Sequence, residues 1–77
     1  MRIEINGEPR NVADESYLSD LVRELSLPQE RVAIELNKEV VRRADWATTL
    51  MTEGDRVEIV HFVGGGASPP RRMRQII

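Results

Sequence analysis

Three consecutive glycines, Gly64-Gly65-Gly66, follow an apolar-rich run that ends at Val63. Glycine has no side chain, so a chain of glycines can enter a narrow channel fully extended. An enzyme could then reach a carboxylate at the end of that chain without steric conflict. Such a carboxylate is a latent acyl donor. ATP converts it to an acyl-adenylate, a mixed anhydride that a sulfur nucleophile can attack. In that scheme the chain supplies only the acyl group, and a partner enzyme supplies the ATP site, the metal and the nucleophile. The plainer reading of the same glycines is a hinge between body and tail.

The other reactive side chains are few. The chain has no cysteine and one histidine, His61. That excludes a disulfide, a thiolate nucleophile, a cysteine metal site and a histidine-rich metal cluster. His61 has no cysteine or serine partner near it in sequence and reads as a strand-edge residue. Asp14-Glu15 and Glu53-Gly54-Asp55 resemble paired carboxylates, but each lies at a helix start or a turn, where local capping accounts for it. Arg42-Arg43 and Arg71-Arg72 read as solvated charge or partner contacts. Trp46 and Tyr17 are expected to cover the edges of the core. No catalytic residue, metal site or resident cofactor is expected.

The elements that must carry the glycines follow from periodicity. Arg2 to Asn6 alternates with period two and places Ile3 and Ile5 inward. Asn6-Gly7 is a tight-turn signal, and Pro9 to Ala13 forms the return strand at an edge. Leu18, Leu21, Val22 and Leu25 share one helical face in Tyr17 to Leu27, with Ser16 as N-cap and Pro28 as the stop. Arg31 to Leu36 is a second clear strand, and Val40 to Arg42 a short one. Ala44 to Leu50 has weak helical character. Gly54 is expected at positive φ in a turn, and Arg56 to Val63 is the last strand. If Val57 and Ile59 on it face the helix, Val60 and Phe62 face away and form an exposed docking patch, the alternative being a bulge near the strand end that turns Phe62 inward.

This order predicts an α+β domain: a mixed sheet packed on one main helix. Pairing the last strand parallel to the first makes it a β-grasp, the ubiquitin-like fold. The whole chain is 77 residues, one small domain that buries only about 60% of its unfolded surface. No apolar run approaches the length of a membrane span, and the start lacks a signal-peptide core, so a cytoplasmic protein is expected. The domain boundary is expected at Gly66: residues 1–66 form the folded unit, and residues 67–77 a flexible basic tail.

Charge divides at the same boundary. The net charge is −2, made of −5 over residues 1–66 and +3 over the rest, from Arg71, Arg72 and Arg74. An acidic body argues against nucleic acid and favours a basic protein partner, although an acidic surface also serves solubility.

Two stretches carry a specific resemblance. They are Ile34 to Trp46, with Asn37, Val41 and Trp46 at their spacing, and Glu53 to Gly66, with the Glu53-Gly54-Asp55 turn and the glycines. Together they resemble the ThiS family, the sulfur carrier proteins of thiamine biosynthesis, and the likeness covers Met1 to Gly66. The small subunit of molybdopterin synthase shares fold and glycines but usually lacks the Asn37-to-Trp46 pattern, and ranks second. The resemblance implies that a ThiF-type adenylyltransferase activates the terminal glycine. Sulfur from a cysteine desulfurase then replaces AMP, and a ThiG-type thiazole synthase takes sulfur from the resulting thiocarboxylate. The reactive glycine maps to Gly66, with Gly64 and Gly65 as its flexible approach. The chain itself is then a carrier and not an enzyme.

The sequence departs from the family at one point. Ala67 to Ile77 follow Gly66, and a peptide carbonyl cannot be adenylated as a carboxylate can. Removal of the tail after Gly66 is the leading expectation. A variant end of the reading frame and a β-grasp interaction module that is never activated stand beside it. Conjugation to lysines as a ubiquitin-like modifier is a further alternative.

Overall fold

Turn chemistry sets the first hairpin. The computed structural model describes residues 1–63 and 71–74, with Val63 and residues 71–74 described through their backbone. Strands β1 (Arg2–Ile5) and β2 (Glu8–Asn11) pair antiparallel, from Arg2 opposite Asn11 to Ile5 opposite Glu8. Asn6 and Gly7 have φ of 51° and 84°, the two positive values that a primed hairpin turn requires. Ile3 and Ile5 are buried on the inner face.

Helix α1 (Leu18–Glu24) is shorter than its periodicity suggests. Its start is not capped by Ser16. Tyr17 is the N-cap residue, and the Asp20 carboxylate accepts the Tyr17 N–H at 2.9 Å. Ser16 is drawn out of the helix because its carbonyl accepts from Met51 N–H at 2.9 Å, next to a bridge between Tyr17 and Leu50. The helix stops before Pro28. Ser26 turns left-handed at φ 57°, and Leu27 N–H bonds back to the Val22 carbonyl. Leu18, Leu21 and Val22 are its buried stripe.

A 3₁₀ turn at Gln29–Arg31 leads into β3 (Val32–Leu36), which pairs antiparallel with β4 (Glu39–Val41). Asn37 and Lys38 make that hairpin turn, again with both φ values positive. Arg43–Thr48 is a 3₁₀ segment, and Gly54 turns the chain at φ 85°. The eight-residue strand β5 (Arg56–Val63) then runs between β1 and β3. It is parallel to β1 and antiparallel to β3. The order β2-β1-β5-β3-β4 with one main helix is the predicted β-grasp.

A sixth strand, β6 (Arg71–Arg74), was not legible in the tail, where the sequence reading has no regular element. It pairs antiparallel with the end of β5, from Val60 opposite Arg74 to Val63 opposite Arg71. Three arginines and a methionine show neither alternation nor strong strand propensity, so only the free β5 edge specifies this strand.

The core joins Ile3, Ile5, Val12, α1, Val32, Ile34, Val57 and Ile59 with Trp46 and Met51. Trp46 is 3% exposed and belongs to the core, not to its edge. Its indole N–H donates to the Val41 carbonyl at 2.9 Å, which lets the ring enter without an unpaired donor. Tyr17 is exposed instead. Among the described residues, no helix is long and apolar enough to cross a membrane.

Candidate functional site: the β5 strand and its exit

β5 carries the chain out of the domain toward Gly64, so its placement decides where the glycines emerge. Gly64, Gly65 and Gly66 themselves lie outside the described residues. Two asparagine side chains hold the strand. Asn37 grips its start: its Oδ1 accepts Arg56 N–H at 3.0 Å and its Nδ2 donates to Asp55 Oδ1 at 3.1 Å. The Asn37 backbone N–H also donates to the Arg56 carbonyl at 2.7 Å. Asn6 grips the middle: its Oδ1 accepts Ile59 N–H at 2.8 Å and its Nδ2 donates to the Ile59 carbonyl at 3.3 Å. A turn asparagine tolerates positive φ and offers one donor and one acceptor, so it serves both the turn and the neighbouring strand.

The Asn37…Val41…Trp46 pattern now has a physical account. Asn37 fixes the beginning of β5, and the Val41 carbonyl receives the Trp46 indole. Asp55 completes the frame, since its Oδ2 accepts Thr52 N–H at 2.8 Å while Gly54 N–H reaches the Arg2 carbonyl. The carboxylates of the Glu53-Gly54-Asp55 turn therefore act locally: Glu53 accepts the Arg2 N–H and Asp55 the Thr52 N–H. The role of Asn6 was missed; the residue read only as half of a turn, and nothing local in sequence points to Ile59.

The β5 ladder with β3 is unbroken, from Leu36 opposite Val57 to Val32 opposite His61. No bulge turns the strand, so Val60 and Phe62 share the face away from α1. They are not two exposed side chains, however. Val60 is 8% exposed and Phe62 is half-buried. Val60 stands opposite Ala33 in the middle of the sheet, and it belongs to no part of the core under the helix. Beside it, Glu58 stands opposite Glu35. That outer face thus combines a half-buried aromatic ring with cross-strand carboxylates, a surface suited to a basic partner.

His61 is half-buried opposite Val32. No three His, Cys, Asp or Glu residues among those described are grouped to hold a metal ion. The one resolved carboxylate shift lies elsewhere: Asp14 is lowered by its hydrogen bond to the N-terminal ammonium at 2.8 Å and then by that group's charge.

Comparison with known proteins agrees with this arrangement. The ThiS family model matches residues 3–66. The chain is 32% identical to the sulfur carrier protein ThiS of Bacillus subtilis over 65 residues, covering 83% of this chain and 98% of that one. The crystal structure of the thiamine biosynthesis protein ThiS from Geobacter metallireducens superposes with a TM-score of 0.75 at 38% identity, over 86% of this chain and all of that one. A thiazole synthase of Magnetococcus marinus is 43% identical over 70 residues, 91% of this chain. The chain spans only about a fifth of that synthase's length, 22%. With the family model matched from β1 to the last of the three glycines, and with the same fold in a solved relative, the chain belongs to the ThiS family.

Proposed function

We propose that this chain carries sulfur in thiamine biosynthesis as a thiocarboxylate on Gly66, after a cut that frees the Gly66 carboxylate. The observation that carries the reading is the end of the family match: it stops at Gly66, although the chain runs to Ile77. The chain has no cysteine, and no three His, Cys, Asp or Glu residues among those described are grouped to hold a metal ion. On the family match, its chemistry is that of an acyl group presented to enzymes.

The steps are these. A carboxylate oxygen of Gly66 attacks the α-phosphorus of ATP and releases pyrophosphate, leaving glycyl-adenylate. The terminal sulfur of a persulfide attacks the acyl carbon and AMP departs, forming an acyl disulfide. A second thiol attacks the persulfide-donor sulfur, and the glycyl thiocarboxylate leaves. A ThiF-type adenylyltransferase supplies the first site and a cysteine desulfurase the persulfide. Thiazole synthase accepts the sulfur. Support for that last partner comes from synthases of Magnetococcus marinus and Paramagnetospirillum magneticum, which contain a segment similar to this chain.

The test uses the chain ending at Gly66, its adenylyltransferase, ATP and a sulfur source, read by intact mass. Exchange of one oxygen for sulfur supports the reading. A lysine adduct indicates a modifier, and an unchanged mass indicates an interaction domain; either overturns it.

A further inference from the structure

β5 has one side filled by a single strand and the other filled in three pieces. β3 covers the first side from Val57 to His61. On the second side the groups of Asp55 and Val57 meet β1, through Glu4 N–H to the Asp55 carbonyl and Asn6 N–H to the Val57 carbonyl, both at 2.9 Å. Ile59 meets the Asn6 side chain. β1 then leaves the sheet through the Asn6-Gly7 turn. Strand alternation aims the N–H and C=O groups of His61 and Val63 at the same side. There β6 takes over, with Met73 opposite His61 and Arg71 opposite Val63.

That edge adjoins Gly64 directly, and an open edge is a template for another strand. The segment that fills it lies beyond Gly66, so a cut after Gly66 separates β6 from the body. A strand of four residues held by one short ladder does not stay bound once untethered. The cut that frees the carboxylate therefore also opens the edge. The occupant is basic, with Arg74 and Arg72 at register positions opposite Val60 and Phe62, and the body it pairs with carries −5.

We propose that β6 is an intramolecular stand-in on a strand-docking edge: Arg71–Arg74 occupy β5 at His61 and Val63 while the tail is attached, and an extended basic segment of the adenylating enzyme takes that edge after the cut. This rests on the reading of Gly66 as the acyl donor. It makes the uncut chain a poor ligand for the enzyme for two separable reasons, a missing carboxylate and a filled edge.

The second reason is tested in the full chain by Met73→Pro, since proline has no N–H for the ladder. Amide hydrogen exchange at His61 and Val63 should speed up by on the order of tenfold or more in the variant, while Ile59, held by Asn6, is unchanged. Equal exchange at His61 and Val63 in the two proteins would overturn the proposal. Calorimetric titration with the adenylating enzyme then compares the full chain, M73P and a chain ending at Gly66, which keeps every residue of the buried core. M73P should bind about tenfold tighter than the full chain, because the competent state is no longer rare. Equal affinities for those two would overturn the edge proposal and leave the Gly66 reading, which mass exchange decides, untouched. Failure of all three to bind would overturn both.

Discussion

The side chain of Asn6 holds both backbone groups of Ile59, accepting its N–H at 2.8 Å and donating to its carbonyl at 3.3 Å. A side-chain amide thus replaces one more residue of strand at the point where β1 turns away. It extends the hold on β5 by two residues toward the glycines. Asn6→Gly keeps the positive φ and deletes both bonds, while adding backbone freedom to the unfolded chain. The expected loss is about 1–3 kcal/mol by chemical denaturation, the range for stranding part-buried backbone groups. A loss under about 0.5 kcal/mol would mean that water replaces the amide at no cost.

Trp46→Phe should destabilise the domain by about 1–3 kcal/mol, because the Val41 carbonyl loses its donor and the ring no longer fills its site. Thermal unfolding checks this. Sulfur loading of the Gly66-terminated form, assayed well below the melting point, should be unchanged, since the indole's hydrogen bond goes to the Val41 carbonyl and not to β5.

Val60 and Phe62 should respond differently to truncation. Val60→Ala removes two buried methyl groups and is expected to cost about 1–2 kcal/mol of stability. Phe62→Ala should weaken binding to the adenylyltransferase or thiazole synthase more than it lowers the melting point. A Phe62 variant that melts as early as the Val60 variant, and binds normally, would remove Phe62 from the docking surface.

Gly65→Val in the Gly66-terminated chain should lower kcat/KM for adenylation by on the order of tenfold or more, with the melting point unchanged. On the proposed function, a β-branched side chain widens the segment that the enzyme takes in. Unaltered kinetics would show that the channel does not exclude side chains there.

Asp14 is held below the usual carboxylate range by its contact with the N-terminal ammonium. A depressed folded-state value stabilises above the unfolded value and is lost as pH falls through the folded one. The contribution should therefore fade below about pH 4. Asp14 is largely exposed, so the effect is small. Asp14→Asn should flatten the acid limb of the stability curve slightly and leave stability near pH 7 almost unchanged.

What could be read in advance was what rests on local chemistry. The Asn6-Gly7 turn, the apolar stripe of α1 and the span of β5 follow from spacing and turn residues alone. The parallel pairing of β1 with β5 followed from element order. Most of the failures depend on a contact distant in sequence; Trp46, whose partner lies only five residues away, does not. Ser16 lost its capping role to Met51, 35 positions away. Trp46 entered the core because the Val41 carbonyl was free to receive its N–H. Val60 is buried although alternation marks its face as outward. β6 exists only because β1 ends early and leaves β5 an edge.

Parallel pairing of the first and last long strands has a mechanical consequence. A partner that tugs on the glycine end loads the β1–β5 and β3–β5 ladders lengthwise, so their bonds resist together and do not peel one at a time. The domain is thus built to hold its last long strand firmly against a pull at the end from which the chain continues.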